Sequence, residues 1–134
     1  MPLPVLDTVV LFGAADVKDP AHERSVAYLD RLSEPSYYLA GFALVEFDIV
    51  MKSRGLTHKE QMMRHALLAR DYPATTVKVR PISPHVLYLA ATIEDEDGID
   101  YFDAGVAAEA KVLDGEVVST DRVFDRLRGL GRTW

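Results

Sequence analysis

The sequence contains no cysteine. This excludes disulfide frameworks, zinc–thiolate sites, iron–sulfur clusters and thiol catalysis. It has no asparagine and one glutamine, Gln61. Few thermolabile amides are a thermophile trait, and a GC-rich genome biases composition in the same direction. Long hydrophobic runs are also missing. No stretch reaches the roughly 18 uncharged apolar residues that a membrane span needs. Met1-Pro2-Leu3-Pro4-Val5 lacks the basic region and apolar run of a secretory signal. A cytoplasmic protein with no membrane partner is expected. Positive charge is in deficit, with 15 Lys and Arg against 21 Asp and Glu for a net charge of −6. A nucleic-acid role must therefore come from a local site and not from overall attraction to phosphates.

What remains is enough for a single domain. The chain has 134 residues, 49% of them hydrophobic. A chain of this size buries roughly two-thirds of its unfolded surface. Residues 4–12 form a short apolar run rich in β-branched side chains, as expected of a strand covered on both faces. Asp19-Pro20 opens a helix over about 20–33, and Tyr37-Tyr38-Leu39 reads as a brief strand. An apolar helix follows from about 40 to 54 and stops at Gly55. Thr57 and Glu60 have capping-box spacing and open a helix to about 70. Residues 74–80 alternate like a strand. Ser83-Pro84 starts a helix to about 95, before an acidic loop over 94–98. A helix over 101–113, a strand over 116–119, a short helix over 121–128 and a terminal strand over 132–134 complete the chain. Alternating strands and helices predict an α/β fold: three layers, α/β/α, around a central parallel sheet of about four to five strands. In such sheets, sites lie beyond the carboxyl ends of the strands.

Carboxylates in apolar company are the informative residues, because charges are rarely buried without a partner or a metal. On a helix, Glu46 has Phe42, Ala43, Ile49 and Val50 at three and four positions, which puts it on the core-facing stripe. A helix-edge glutamate whose stem covers apolar surface fits the same pattern. Asp7 reads as the last residue of a strand bonding to the next turn, or as a metal ligand at a strand's carboxyl end. Asp100 and Asp103 stand at the start of an alanine-rich helix, and Asp121 follows a strand and opens a helix. Capping explains each of these in isolation. Together, Asp7, Glu46, Asp103 and Asp121 come from four elements whose ends can converge on one edge of a parallel sheet. Crowded carboxylates repel and need cations. Oxygen-only ligands suit Mg²⁺ or Mn²⁺.

The ordered set Val5-Leu6-Asp7-Thr8, Glu46, Asp100-Tyr101-Phe102-Asp103-Ala104 and Val118-Ser119-Thr120-Asp121-Arg122-Val123-Phe124 resembles the PIN domain. The nearest branch is the small ribonuclease toxins of the VapBC type, and the likeness runs along nearly the whole chain. The resemblance implies one nuclease domain over 1–134 that hydrolyses RNA phosphodiester bonds with Mg²⁺ or Mn²⁺. It makes Asp7, Glu46 and Asp103 the ligands of the principal ion. Asp121 holds a second ion or orients the attacking water, Asp100 is an auxiliary acid, and Thr8 and Ser119 support the ligands. It also implies single-stranded or looped RNA as substrate, products with a 5′-phosphate and a 3′-hydroxyl, a homodimer, and an antitoxin partner that occludes the acids. One position departs from the family pattern. Val9 stands where Asn or Ser is common two residues after the first acid, so Thr8 is the remaining local source of a polar contact.

Other classes fit less well. An aspartyl-phosphate phosphatase of the haloacid dehalogenase type wants a second Asp at the Val9 position. A receiver domain wants paired acids near Asp7 and a late lysine, and none follows Lys111. A PIN-like RNA-processing factor and a catalytically silent interaction module remain open as alternatives. Lys52, Arg54, Arg122, Arg126 and Arg128 read either as phosphate grips or as solvated helix surface. Met62, Met63 and Leu67 read as core or partner-facing residues. Tyr37, Tyr38 and Phe42 read as part of an oligomer face.

Overall fold

The computed structural model describes residues 3–134. Met1 and Pro2, at the start of the N-terminus expected to carry no signal, lie outside the described residues. Four strands form the central sheet: β1 (Pro4–Leu6), β2 (Tyr38–Leu39), β3 (Glu116–Val118) and β4 (Gly131–Thr133). Their spatial order is β2-β1-β3-β4, and every neighbouring pair is parallel. Val5 pairs with Tyr38 on one side and Val117 on the other, and Val117 pairs in turn with Arg132. A lone parallel bridge from Leu39 to Val79 extends the β2 edge.

Parallel neighbours need crossover connections, and helices supply them. The described residues hold α1 (Thr8–Ala15), α2 (His22–Asp30), α3 (Gly41–Ser53), α4 (His58–Asp71), α5 (Ala74–Val77), α6 (Pro84–Asp97) and α7 (Tyr101–Val112). Together they make the expected three-layer α/β/α fold. Val5, Leu6, Val117 and Val118 are buried, as a sheet covered on both faces requires. Helix α7 packs against β1 and β3, and its Ala104, Ala107, Ala108 and Ala110 are buried. Small side chains allow that close approach. On its α3 side Gly105 admits the Phe42 ring, for an added Cβ would stand 2.3 Å from Phe42 Cγ.

Local sequence chemistry sets most of the ends. Thr57 and Glu60 form the full capping box of α4. Ser83 caps α6 ahead of Pro84. Gly55 follows α3 at φ +86°, a left-handed conformation that glycine adopts without steric cost.

Several elements differ from the sequence reading. The strand expected over 4–12 stops at Leu6. Asp7, at φ −85° and ψ 170°, is the N-cap of α1. The run after it is apolar all round and packs against α2 and α3, so burial overrides β-branched propensity. The strand expected over 74–80 is a single helical turn, with Pro73 as its N-cap in the α region. Thr75 satisfies its hydroxyl locally on the Tyr72 carbonyl at 2.7 Å, and Val79 alone reaches the sheet. Helix α2 begins after Ala21, and Asp19 serves it by accepting from the Ala21 N–H at 2.8 Å. The acidic stretch expected as a loop is the last turn of α6, stopped by Gly98 at φ +65°. The expected helix at 121–128 is a 3₁₀ segment, Arg122–Arg126. Phe42 is 2% exposed, so it belongs to the core and not to an outer face. Met62 and Met63 are exposed, which removes the core reading for both.

Candidate functional site

The carboxyl end of the sheet gathers the acids. Asp7 follows β1, and its N–H continues the ladder by donating to the Val118 carbonyl at 3.1 Å. Its side chain makes no capping bond to α1. Instead Ser119 Oγ, just past β3, donates to Asp7 Oδ2 at 2.7 Å. The same hydroxyl accepts from the Asp121 N–H at 3.0 Å. One serine thus ties the first strand's acid to the backbone of the last acid. Asp7 Oδ1 is buried and has no hydrogen-bond partner.

Glu46 lies on α3. Thr8 Oγ1, in the first turn of α1, donates to Glu46 Oε1. Phe42 and Ala43 beside Glu46 are buried, whereas Ile49 is 45% exposed. Glu46 therefore sits at the margin of the core-facing stripe, half-buried, and not at its centre. Asp100 is the N-cap of α7, and its Oδ1 accepts from the Asp103 N–H at 3.0 Å. Asp121 caps the 3₁₀ segment through the Val123 N–H at 2.9 Å. Asp100 and Asp121 each cap a helical segment and also stand near enough to act on Glu46 and Asp103.

The acids form a gradient of depth. Asp7 is buried, Glu46 and Asp103 are half-buried, and Asp100 and Asp121 are exposed. Burial pushes Asp7 up to about 6 against the pull of the Ser119 hydroxyl and the Thr8 N–H, and the charges of Glu46 and Asp121 add to the rise. Asp103 is pushed up to about 8, first by burial and then by Asp100, Asp7 and Asp121. Glu46 is raised by burial, against the Thr8 hydroxyl, and further by Asp100 and Asp121. Every one of the five carboxylates enters the field of at least two others. Protein electrostatics raise carboxylates in this way where negative charge is concentrated without compensation.

The donor set is all oxygen, which fits a hard divalent cation. Asp7 Oδ1, buried and unpartnered, is an oxygen that could serve such an ion. Among the described residues, no three His, Asp or Glu side chains stand close enough to form a ready-made metal cage. The acids share one region without a preset coordination shell.

Three of the five cationic candidates have other partners. Lys52 pairs with Asp48 at 3.4 Å, Arg54 lies over the Phe12 ring at 4.9 Å, and Arg126 donates to the Asp97 carbonyl at 2.8 Å. Arg132, which the sequence reading passed over, donates to the Ser119 carbonyl at 3.0 Å and pairs with Asp125 at 2.9 Å. It braces the serine that holds Asp7. A cavity of about 160 Å³ between α1, α3 and α4, lined by Leu11, Phe47, Arg64 and Leu68 among others, contains none of the five acids. No helix among the described residues is long and apolar enough to cross a membrane.

The family model for the PIN domain matches residues 5–130. The fold is similar to that of FitAcB from Neisseria gonorrhoeae, with a TM-score of 0.74 and 23% identity over 98% of this chain and 97% of that one. It is similar to VapBC2 from Rickettsia felis, solved bound to a DNA fragment from their promoter, with a TM-score of 0.70 and 13% identity over 98% of each chain. It also resembles PAE2754 from Pyrobaculum aerophilum, with a TM-score of 0.65 and 15% identity over 98% of this chain and 90% of that one. No curated protein gave a significant match by sequence.

Proposed function

The chain belongs to the PIN-domain family, and from that premise we propose that it is a metal-dependent ribonuclease acting as the toxin of a toxin–antitoxin pair. Residues 1–134 make one nuclease domain in this reading, and RNA phosphodiester bonds are its substrate. The observation that carries it is the convergence on Asp7. A buried carboxylate oxygen without a partner lies near four further acids, and the negative charge gathered there helps to raise Asp7, Glu46 and Asp103.

Asp7, Glu46 and Asp103 would hold Mg²⁺ or Mn²⁺, with Asp100 auxiliary to them. An ion held by these residues would supply Lewis-acid chemistry, making water more acidic and offsetting charge on the phosphate. The chain's own residues do the rest. Ser119 fixes Asp7 through Oδ2 and leaves Oδ1 for the ion. Thr8 turns Glu46 inward across 38 residues of sequence. Asp121, held by the Ser119 hydroxyl through its N–H, would hold a second ion or orient the attacking water. Thr8 and Ser119 therefore work through Glu46 and Asp7 and need not touch substrate.

The antitoxin partner is supported by the likeness of the fold to FitAB and to VapBC2. The homodimer and the cytoplasmic location belong to the same proposal. A catalytically silent PIN module is the second reading, favoured by the lack of a ready-made metal cage among the described residues.

The test is cleavage of single-stranded RNA with Mg²⁺ or Mn²⁺ by the wild type and Asp7→Asn. Wild-type cleavage that EDTA abolishes and Asp7→Asn lacks, with the variant still folded, supports the proposal. Equal cleavage by both proteins exposes a contaminating nuclease and removes it. Mn²⁺ binding without cleavage of any RNA favours the silent module.

A further inference from the structure

Glu109 is a carboxylic acid in the alanine-rich helix α7, and the residue is 1% exposed. It is not one of the five acids of the site. Oε1 accepts from the Gly41 N–H at 3.0 Å, and Oε2 accepts from the Phe42 N–H at 3.3 Å. Both donors belong to the first turn of α3, whose N–H groups have no partner within the helix. The N-cap position, Ala40, offers no side-chain oxygen. A carboxylate from another helix, 68 residues away in sequence, thus does the capping of α3. Burial pushes Glu109 up to about 7, while the two N–H donors and Arg80 pull it down.

The joint lies between two ligands of the site. Gly105, one turn before Glu109, receives the Phe42 ring, and an added Cβ there would stand 2.3 Å from that ring. Tyr101 meets the same ring edge-on, with centroids 5.5 Å apart. Helices α3 and α7 are therefore clamped at two levels, by carboxylate to backbone and by ring to glycine. Asp103 stands two residues before Gly105, and Glu46 stands one turn after Phe42. Glu46 and Asp103 sit on different helices, so their separation is set by how α3 rests on α7.

We propose that Glu109 is a positioning residue: by bonding the Gly41 and Phe42 N–H groups it fixes α3 on α7 and so sets the spacing of Glu46 and Asp103. This rests on the nuclease reading for what the spacing serves. Two bonds from one carboxylate to successive amides determine both the depth and the rotation of a helix end, which an apolar contact at the same place does not. Outer partners that orient ligands typically carry a 10–100-fold effect on metal affinity or activity. Gly41 provides an independent way to disturb the same joint. A Cβ there would stand 2.6 Å from the Arg80 carbonyl oxygen and 3.1 Å from Glu109 Oε1.

The experiment compares the full-length wild type, Glu109→Gln and Gly41→Ala, each shown by circular dichroism to be folded at the assay temperature. Mn²⁺ affinity is measured by electron paramagnetic resonance, and kcat and KM on single-stranded RNA are measured alongside. Glu109→Gln keeps the shape but offers an amide NH₂ to one of the two N–H donors. Both variants are expected to bind Mn²⁺ about 10–100-fold more weakly and to lose kcat at fixed Mn²⁺. KM for RNA stays near the wild-type value, and excess Mn²⁺ restores much of kcat. A folded variant with lower thermal stability but unchanged Mn²⁺ affinity and kcat reduces Glu109 to a structural cap and overturns the inference. Should Glu109→Gln not fold, Gly41→Ala decides alone, because its carboxylate is intact. A wild type that binds no Mn²⁺ overturns the nuclease reading itself, an outcome distinct from equal binding by all three proteins.

Discussion

Ser119 Oγ and Asp7 Oδ2 are 2.7 Å apart, and the bond joins residues 112 positions apart in sequence. It is the only side-chain hydrogen bond to the Asp7 carboxylate among the described residues, and Oδ1 is buried without a partner. The serine hydroxyl donates to Asp7 and accepts from the Asp121 N–H. A single small side chain thereby holds two of the acids in a fixed relation.

Ser119→Ala removes both bonds and leaves the whole Asp7 carboxylate buried without a side-chain donor. Loss of a hydrogen bond to a buried charge costs about 1–3 kcal/mol. The Ser119 bond pulls the Asp7 pKa down, so the variant's Asp7 titrates above about 6. Urea unfolding is expected to show the stability loss, and RNA cleavage a fall of about 10–100-fold. Wild-type cleavage by a folded Ser119→Ala protein would remove the serine from the site.

Metal-free protein is expected to lose stability as pH rises. Folded Asp7 has its pKa raised to about 6 from 3.8, so the folded state binds its proton more tightly than the unfolded chain does. Stability is then fully present below about pH 4 and is lost as pH rises through about 6. Asp103, raised to about 8, and Glu109, raised to about 7, act in the same direction at higher pH. For Asp7 alone the shift corresponds to about 3 kcal/mol. Asp7→Asn should match the wild type near pH 4 and exceed it at pH 8 by up to that amount, measured by urea unfolding in EDTA. A difference independent of pH contradicts the burial argument.

Divalent metal should reverse that loss. A ligand at 100 times its Kd that binds only the folded state adds about 2.7 kcal/mol of stability. Thermal melts of the wild type at pH 8 should therefore shift upward with Mn²⁺, and those of Asp7→Asn should stay nearly still. Equal shifts in the two proteins would place the ion elsewhere.

Gly105→Ala tests the contact between α3 and α7. The added methyl would stand 2.3 Å from Phe42 Cγ, so the ring or the helix must move. Overpacking of this kind costs about 1–3 kcal/mol. The melting temperature should fall by several degrees, and cleavage should fall with it at temperatures where the variant is still folded. An unchanged melting temperature would mean that the interface yields freely.

Thr57→Ala is the matching control. Thr57 holds the capping box of α4, is exposed, and bonds none of the five acids. Its loss should cost about 1 kcal/mol in urea unfolding and leave RNA cleavage at the wild-type rate. A large loss of cleavage would tie α4 to the site.

Much of this was legible in the sequence. Thr57 with Glu60, Ser83 with Pro84, and Gly55 announced their helix ends, because capping chemistry is local. The parallel α/β layering followed from the alternation of elements. The run after Asp7 was misread, since an apolar segment hidden on all sides shows neither period 2 nor period 3.6. Residues 74–80 alternated as a strand should, yet Pro73 and the Thr75 hydroxyl stabilise a helical turn first. At the site, the acids stood out by their apolar neighbours, and the structure brings them into one field. Their supports were harder to find. The bond from Thr8 to Glu46 spans 38 residues, and no local pattern encodes such a pairing. Glu109 was missed although it shows the same signal as Glu46, an acid flanked by Val106, Ala107, Ala108 and Ala110.

The sheet order also governs timing. Strand β1 pairs with β3, which lies more than a hundred residues later in synthesis, and β3 in turn pairs with β4. Contacts of such long range form late and slowly. A chain still emerging from the ribosome carries Asp7, Glu46 and Asp103 but lacks Ser119 and Asp121, so the acids are present before they can act together.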